Sequence, residues 1–251
     1  MTHQETHTIN WNQYLKRFED RRFVRIVTLR TLGNWLILLS IFFTVKIFFE
    51  PVISEVSYFV NTNLIQKQYI VADPMKEDEG KPTPQPPPES QFARFFKLRQ
   101  RETLTPVDPE FSIVVPKIAA NARIIPNVNP ADEKDYLDKL KFGVAHAAGT
   151  YFPGDRGHIF LFAHSTDYVW NISTYNAVFY LLYKLEAGDE INLFYHGRRY
   201  VYIVEGSTKV NPDQVEYMTR QTDEELLTLQ TCWPPGTTLQ RLLVFARRKV
   251  T

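Results

Sequence analysis

Cys232 is the one cysteine in 251 residues, and it closes the run Thr228-Leu229-Gln230-Thr231-Cys232. A lone thiol has three fates: buried filler, intermolecular linker or reactive nucleophile. The last needs help, because a free thiol is largely protonated at neutral pH and is activated by a base or a nearby positive charge. Two residues could give that help. His164 ends the apolar run Phe162-Ala163-His164, where a firmly held strand would open at the surface. Arg241 begins the apolar run Leu242 to Ala246, just after the Cys232 loop. A guanidinium stays charged and offers several N–H donors to a carbonyl oxygen that becomes an oxyanion. The chemistry such a set could do is attack by the thiolate on a carbonyl carbon.

The other histidines suggest structural roles. His158 starts a strand, His146 reads as lying near a helix end, and His196 belongs to a turn. Their spacing shows no HExxH pattern, and one cysteine excludes zinc sites built on two or more. Net charge is +1, which gives no reason to expect a nucleic-acid partner. Aromatic content of 14%, with 18 Phe and 13 Tyr, suits a β-rich domain with a large core.

The elements that must position these residues follow from hydrophobic periodicity. Residues 109–251 read as strand-dominated. Strands are expected over Ser112 to Ile118, Ala122 to Val128, His158 to His164, Glu190 to Tyr195, Arg199 to Val204, Leu226 to Cys232 and Arg241 to Arg247. His196-Gly197 marks a hairpin turn. Helical stretches are expected over Ala131 to Lys141, with Asp132 and Glu133 near its N-terminus, and over Asn176 to Lys184. Many short strands separated by turn signals point to an antiparallel barrel or sandwich. The loop Trp233-Pro234-Pro235-Gly236-Thr237-Thr238-Leu239-Gln240 should be stiff and lie beside the thiol. Thr231 and Trp233 flank the thiol and are candidate substrate contacts. Trp233 also suits packing against the barrel.

Ahead of this domain the chain changes character. Residues 1–30 are polar and basic, and residues 31–50 hold the apolar stretch Leu32 to Phe49, long enough to span a bilayer as a helix. Lys46 lies near its far end, where an ammonium can snorkel. Basic residues before the span place the N-terminus in the cytoplasm and the remainder outside the cell. No small-residue cleavage site follows the span, so a retained single-pass anchor in membrane lipid is expected. Residues 51–108 form an extracellular linker. It holds a Pro-rich spacer over 73 to 90 and an amphipathic helix over 91 to 105, on which Phe92, Phe95 and Phe96 share a face.

The Thr-Leu-Gln-Thr-Cys run, the strand Gly157 to His164 and the basic strand opener Arg241 together resemble the sortase signature. Sortases are membrane-anchored cysteine transpeptidases of bacterial surfaces. The turn Pro153-Gly154-Asp155-Arg156-Gly157 is also similar, and the likeness covers about residues 110 to 250. It implies a mostly β fold, a closed barrel of about eight strands with short helices. It implies Cys232 as nucleophile, His164 as acid/base and Arg241 as the oxyanion or substrate-orienting cation, with Arg247 as the poorer match for that role. It implies cleavage of an LPxTG-like sorting signal on exported proteins, and transfer to an amine from a cell-wall precursor or a pilin. No cofactor is expected, and no acidic cluster supports the calcium that some sortases use. The Asp-Pro-aromatic lid motif of pilin-type sortases is not matched by Asp73-Pro74-Met75 or Asp108-Pro109-Glu110. A cysteine hydrolase using water and a non-enzymatic surface scaffold are the alternatives.

Overall fold

The computed structural model describes residues 21–64, 67–72, 101–165 and 178–249. The chain divides into two compact units, Met1–Glu50 and Pro51–Thr251. The first described element is helix α1, Arg21–Phe59. Within it Arg21–Lys46 is long and apolar enough to cross a membrane, and none of that window is buried in the protein. The helix is thus longer at both ends than the apolar run over 31–50. The Pro-rich spacer lies outside the described residues, as does the amphipathic pattern up to residue 100. Arg101–Leu104, expected to be helical, is instead strand β2. It pairs in parallel with β1, Gln68–Val71. A partner strand overrides local periodicity here.

The second unit is a closed eight-stranded barrel, built from β3 (Phe111–Val115), β4 (Ala120–Val128), β5 (Val144–Ala147), β6 (His158–Phe162), β7 (Glu190–Tyr195), β8 (Arg198–Val210), β9 (Leu226–Trp233) and β10 (Gln240–Arg248). The circular order is β10-β8-β7-β3-β4-β5-β6-β9. Closure leaves these eight strands no unpaired edge. The interior is filled by alternate residues such as Ile159, Leu161, Leu227, Leu229, Leu242 and Val244. The outward residues Phe160, Phe162, Val210 and Leu243 are buried too, in a second cluster with Val128 and Leu140. Leu140 ends helix α2, Glu133–Leu140, whose N-terminus is capped by the Asp132 carboxylate accepting from the Asp135 amide at 3.1 Å. The sheet in this sector is therefore apolar on both faces.

Two local expectations change. Among the described residues of Asn176 to Lys184 there is no α-helix, only a turn and the 3-10 segment Leu182–Lys184. His146 lies in strand β5, fully buried, rather than at a helix end. The His196-Gly197 turn joins β7 to β8, and both residues have positive φ.

Candidate active site

Strand register brings the three chemical residues together. β6 and β9 run parallel, and every paired residue number differs by 68, from His158 opposite Leu226 to Phe162 opposite Gln230. Pairing continues past β6, where the Ala163 amide donates to the Gln230 carbonyl at 3.1 Å. The same offset brings His164 level with Cys232. On its other side β9 pairs antiparallel with β10, where Arg241 is directly opposite Cys232. Cys232 therefore occupies the middle of three neighbouring strands, between His164 and Arg241.

Alternation fixes the face. Leu227 and Leu229 point into the barrel, so Thr228, Gln230 and Cys232 point outward. On β6 the inward set is Ile159 and Leu161; Ala163, just past its end, joins the same core, and continuing the alternation puts His164 on the outer side with Phe160 and Phe162. On β10 the inward set is Leu242, Val244 and Ala246, which leaves Arg241 outward with Leu243. Cys232, His164 and Arg241 share the outer face, and each is only partly buried. An inert filler would be fully buried, and Cys232 is only partly so.

The supports are specific. Thr231 is 3% exposed, and its hydroxyl donates to the Ala163 carbonyl at 3.0 Å. It is a strut between β9 and the residue that precedes His164. Trp233 faces inward and packs on the barrel core; its ring lies 5.4 Å from that of Tyr183, and the Lys209 ammonium is 4.3 Å from its ring centre. These contacts show the packing expected of it. The Arg241 Nη1 donates to the carbonyls of Thr238 and Gln240, each at 3.2 Å. The loop itself is braced, with the Thr237 amide and hydroxyl both donating to the Pro234 carbonyl at 3.0 and 2.8 Å. These bonds hold the guanidinium against its own loop.

The competing residues are committed otherwise. Arg247 lies near the far end of β10 and is ion-paired with Glu205 and Glu224. His146 is enclosed by Phe111 and Phe152, contacts the Thr150 hydroxyl and the Tyr151 carbonyl, and has its pKa lowered by burial. His158 is 2% exposed, with Nε2 2.8 Å from the Thr228 hydroxyl. Burial brings its pKa down to about 4; the Met218 carbonyl opposes the shift and the Arg220 charge adds to it. Both imidazoles are neutral structural groups. His196 sits in the exposed hairpin turn beside Glu110. Among the described residues no group of three or more His, Cys, Asp or Glu is placed to hold a metal ion.

A closed β-barrel with Cys, His and Arg on adjoining strand ends is a candidate site for thiol chemistry. The sortase-domain family profile matches residues 113–249, and the chain belongs to the sortase family. It is 28% identical over 130 residues to Sortase D of Bacillus subtilis (strain 168), covering 49% of this chain and 61% of that protein. Among solved structures it is similar to sortase C-1 from Actinomyces oris, at 29% identity and a TM-score of 0.47, over 58% of this chain and 76% of that one. It is also similar to Sortase C1 of GBS Pilus Island 1, at 26% identity and a TM-score of 0.48, over 56% and 64% of the two chains. The match thus spans less than two thirds of Sortase D and of that Sortase C1.

Proposed function

We propose that this chain is a membrane-anchored cysteine transpeptidase that cleaves a sorting signal on exported proteins and passes the acyl group to an amine. The observation that carries the reading is the shared register and face of His164, Cys232 and Arg241 on three adjoining strands. Family membership supports the general activity.

The reaction has two halves. The Cys232 thiolate attacks the carbonyl carbon of the Thr–Gly bond in an LPxTG-like signal. Arg241 donates N–H groups to the oxygen that gains charge. His164 protonates the departing amine, and a thioester remains on Cys232. The acceptor amine then attacks the thioester. His164 takes its proton, the new amide forms, and the Cys232 sulfur leaves. The acceptor is an amine of a cell-wall precursor or a pilin lysine. Helix α1 supplies the single-pass anchor, with the basic N-terminus in the cytoplasm and the barrel outside.

The test is intact mass after incubation with LPxTG-type peptides, with and without an amine. The expected result is an acyl adduct on the wild type that is absent in Cys232→Ala, and a joined product when amine is present. No adduct across a broad peptide library would refute the reading. Cleavage without joining under every amine would make the protein a hydrolase.

A further inference from the structure

Helix α1 does not end at its apolar window. Its last turns, residues 51–59, belong to the compact unit that contains the barrel. There the Glu55 carboxylate meets the barrel with both oxygens. Oε1 accepts the Tyr183 hydroxyl, and Oε2 lies 3.2 Å from the Lys184 ammonium. That ammonium also sits 4.7 Å from the Tyr183 ring centre and 5.2 Å from that of Tyr58. Tyr183 in turn packs against Trp233, whose ring also faces the Lys209 ammonium. Trp233 is the residue after the thiol.

We infer that Glu55 is a positioning residue for Cys232, acting through a clasp of Tyr183, Lys184 and Trp233. The inference rests on the proposed acyl-transfer reading for its kinetic arm only. Adjacent residues on a strand point to opposite faces, so the seat of the Trp233 indole on the inside sets where Cys232 stands on the outside. Trp233 is the last residue of β9, where ladder bonds on one side have run out. An aromatic anchor there does what a further strand partner would otherwise do. Glu55 is the hub, because it joins the phenol and the ammonium at once. Without it Lys184 loses its carboxylate, and the Tyr183 hydroxyl loses its acceptor. A hydroxyl buried and held by a carboxylate stays protonated, and the raised pKa of Tyr183 agrees with a permanent donor.

The experiment uses the full chain in detergent micelles, with Glu55→Ala, Glu55→Gln and Tyr183→Phe. Cys232 is the one cysteine, so alkylation by iodoacetamide reports its reactivity without any substrate. Rates are measured from about pH 6 to about pH 9, across the range where thiols titrate. Glu55→Ala and Tyr183→Phe are expected to slow alkylation at neutral pH about fivefold and to move its pH profile upward. With sorting peptide they should lower kcat about tenfold and leave KM nearly unchanged, as expected of a clasp that positions the thiol and does not bind substrate. Glu55→Gln keeps an acceptor for Tyr183 and should stay close to wild type. Unaltered alkylation rate and pH profile in Glu55→Ala and Tyr183→Phe, whatever happens to Tm, would overturn the inference. A change in KM rather than kcat would do the same. Should Glu55→Ala fail to fold, Tyr183→Phe, which deletes one oxygen, decides. If no peptide acylates the wild type and alkylation still shifts, the clasp stands and the transpeptidase reading falls.

Discussion

Thr231→Val is the sharpest perturbation available. It keeps the shape of a β-branched strand residue and deletes one donor. The hydroxyl is buried and spans from β9 to the Ala163 carbonyl at 3.0 Å, one residue before His164. Losing such a bond costs about 1 kcal/mol on average, and an unsatisfied buried carbonyl raises that to about 2 kcal/mol. For a barrel of this size a loss of that order lowers Tm by roughly 4–8 °C. The kinetic effect should exceed the thermal one. The strut fixes the chain end that presents the imidazole, and small misplacements of a catalytic group cost about ten- to a hundredfold in rate. The assay pairs thermal unfolding with the single-turnover rate of acyl-adduct formation by intact mass. Thr231→Ser keeps the hydroxyl and should recover most of the rate while losing some packing. A Thr231→Val protein that melts lower yet acylates at the wild-type rate would refute the strut. Equal rate losses in the Val and Ser variants would refute it too.

Arg241→Ala should cut acylation about a hundredfold or more, as removal of one oxyanion donor does elsewhere. Arg247→Ala should leave acylation within a fewfold of wild type and cost about 1 kcal/mol or less, because its ion pairs with Glu205 and Glu224 are half-exposed. His158 makes stability depend on pH. Its folded pKa is below its unfolded value, so the unfolded chain binds more protons as pH falls. The stabilisation is full above about pH 6.5 and drains away toward pH 4, a loss of about 3 kcal/mol. Urea unfolding across that range should show the slope, and His158→Gln should flatten it. Gly143→Ala should destabilise by roughly 3 kcal/mol or more, since φ is +155° and a Cβ would lie 2.3 Å from the Arg123 backbone oxygen. Chemical denaturation measures it directly.

The strands that carry chemistry were legible because their apolar runs are long and end in polar residues. β6, β9 and β10 follow the expected segments to within about two residues at either end. Helix α2 was legible from its acidic start. Strand β5 was not, since Val144-Ala145-His146-Ala147 is short, poor in β-formers and buried on both faces. β8 extends to Val210 through Glu205-Gly206-Ser207, a polar stretch that reads as loop and is held as strand by pairing with β10. The β1–β2 pair joins segments far apart in sequence, which no local pattern reports. The same limit applies at the site. Residue types singled out Cys232, His164 and Arg241, but the 68-residue register that sets His164 beside Cys232 is a property of the closed barrel. The strut role of Thr231 and the docking of Glu55 depend on tertiary contacts; Thr231 stood out only as part of the run before Cys232, and Glu55 carries no sequence signal of its own.

The parallel pairing of β6 with β9 also governs when the thiol becomes dangerous. Cys232 and His164 meet only across a long-range pairing, and Arg241 arrives on the strand after that. A chain stalled halfway through folding carries a cysteine without its imidazole or its guanidinium. Such a thiol is a poor nucleophile toward an amide. Under the proposed reading, ring closure therefore acts as a safety catch, arming the thiol by completing the fold.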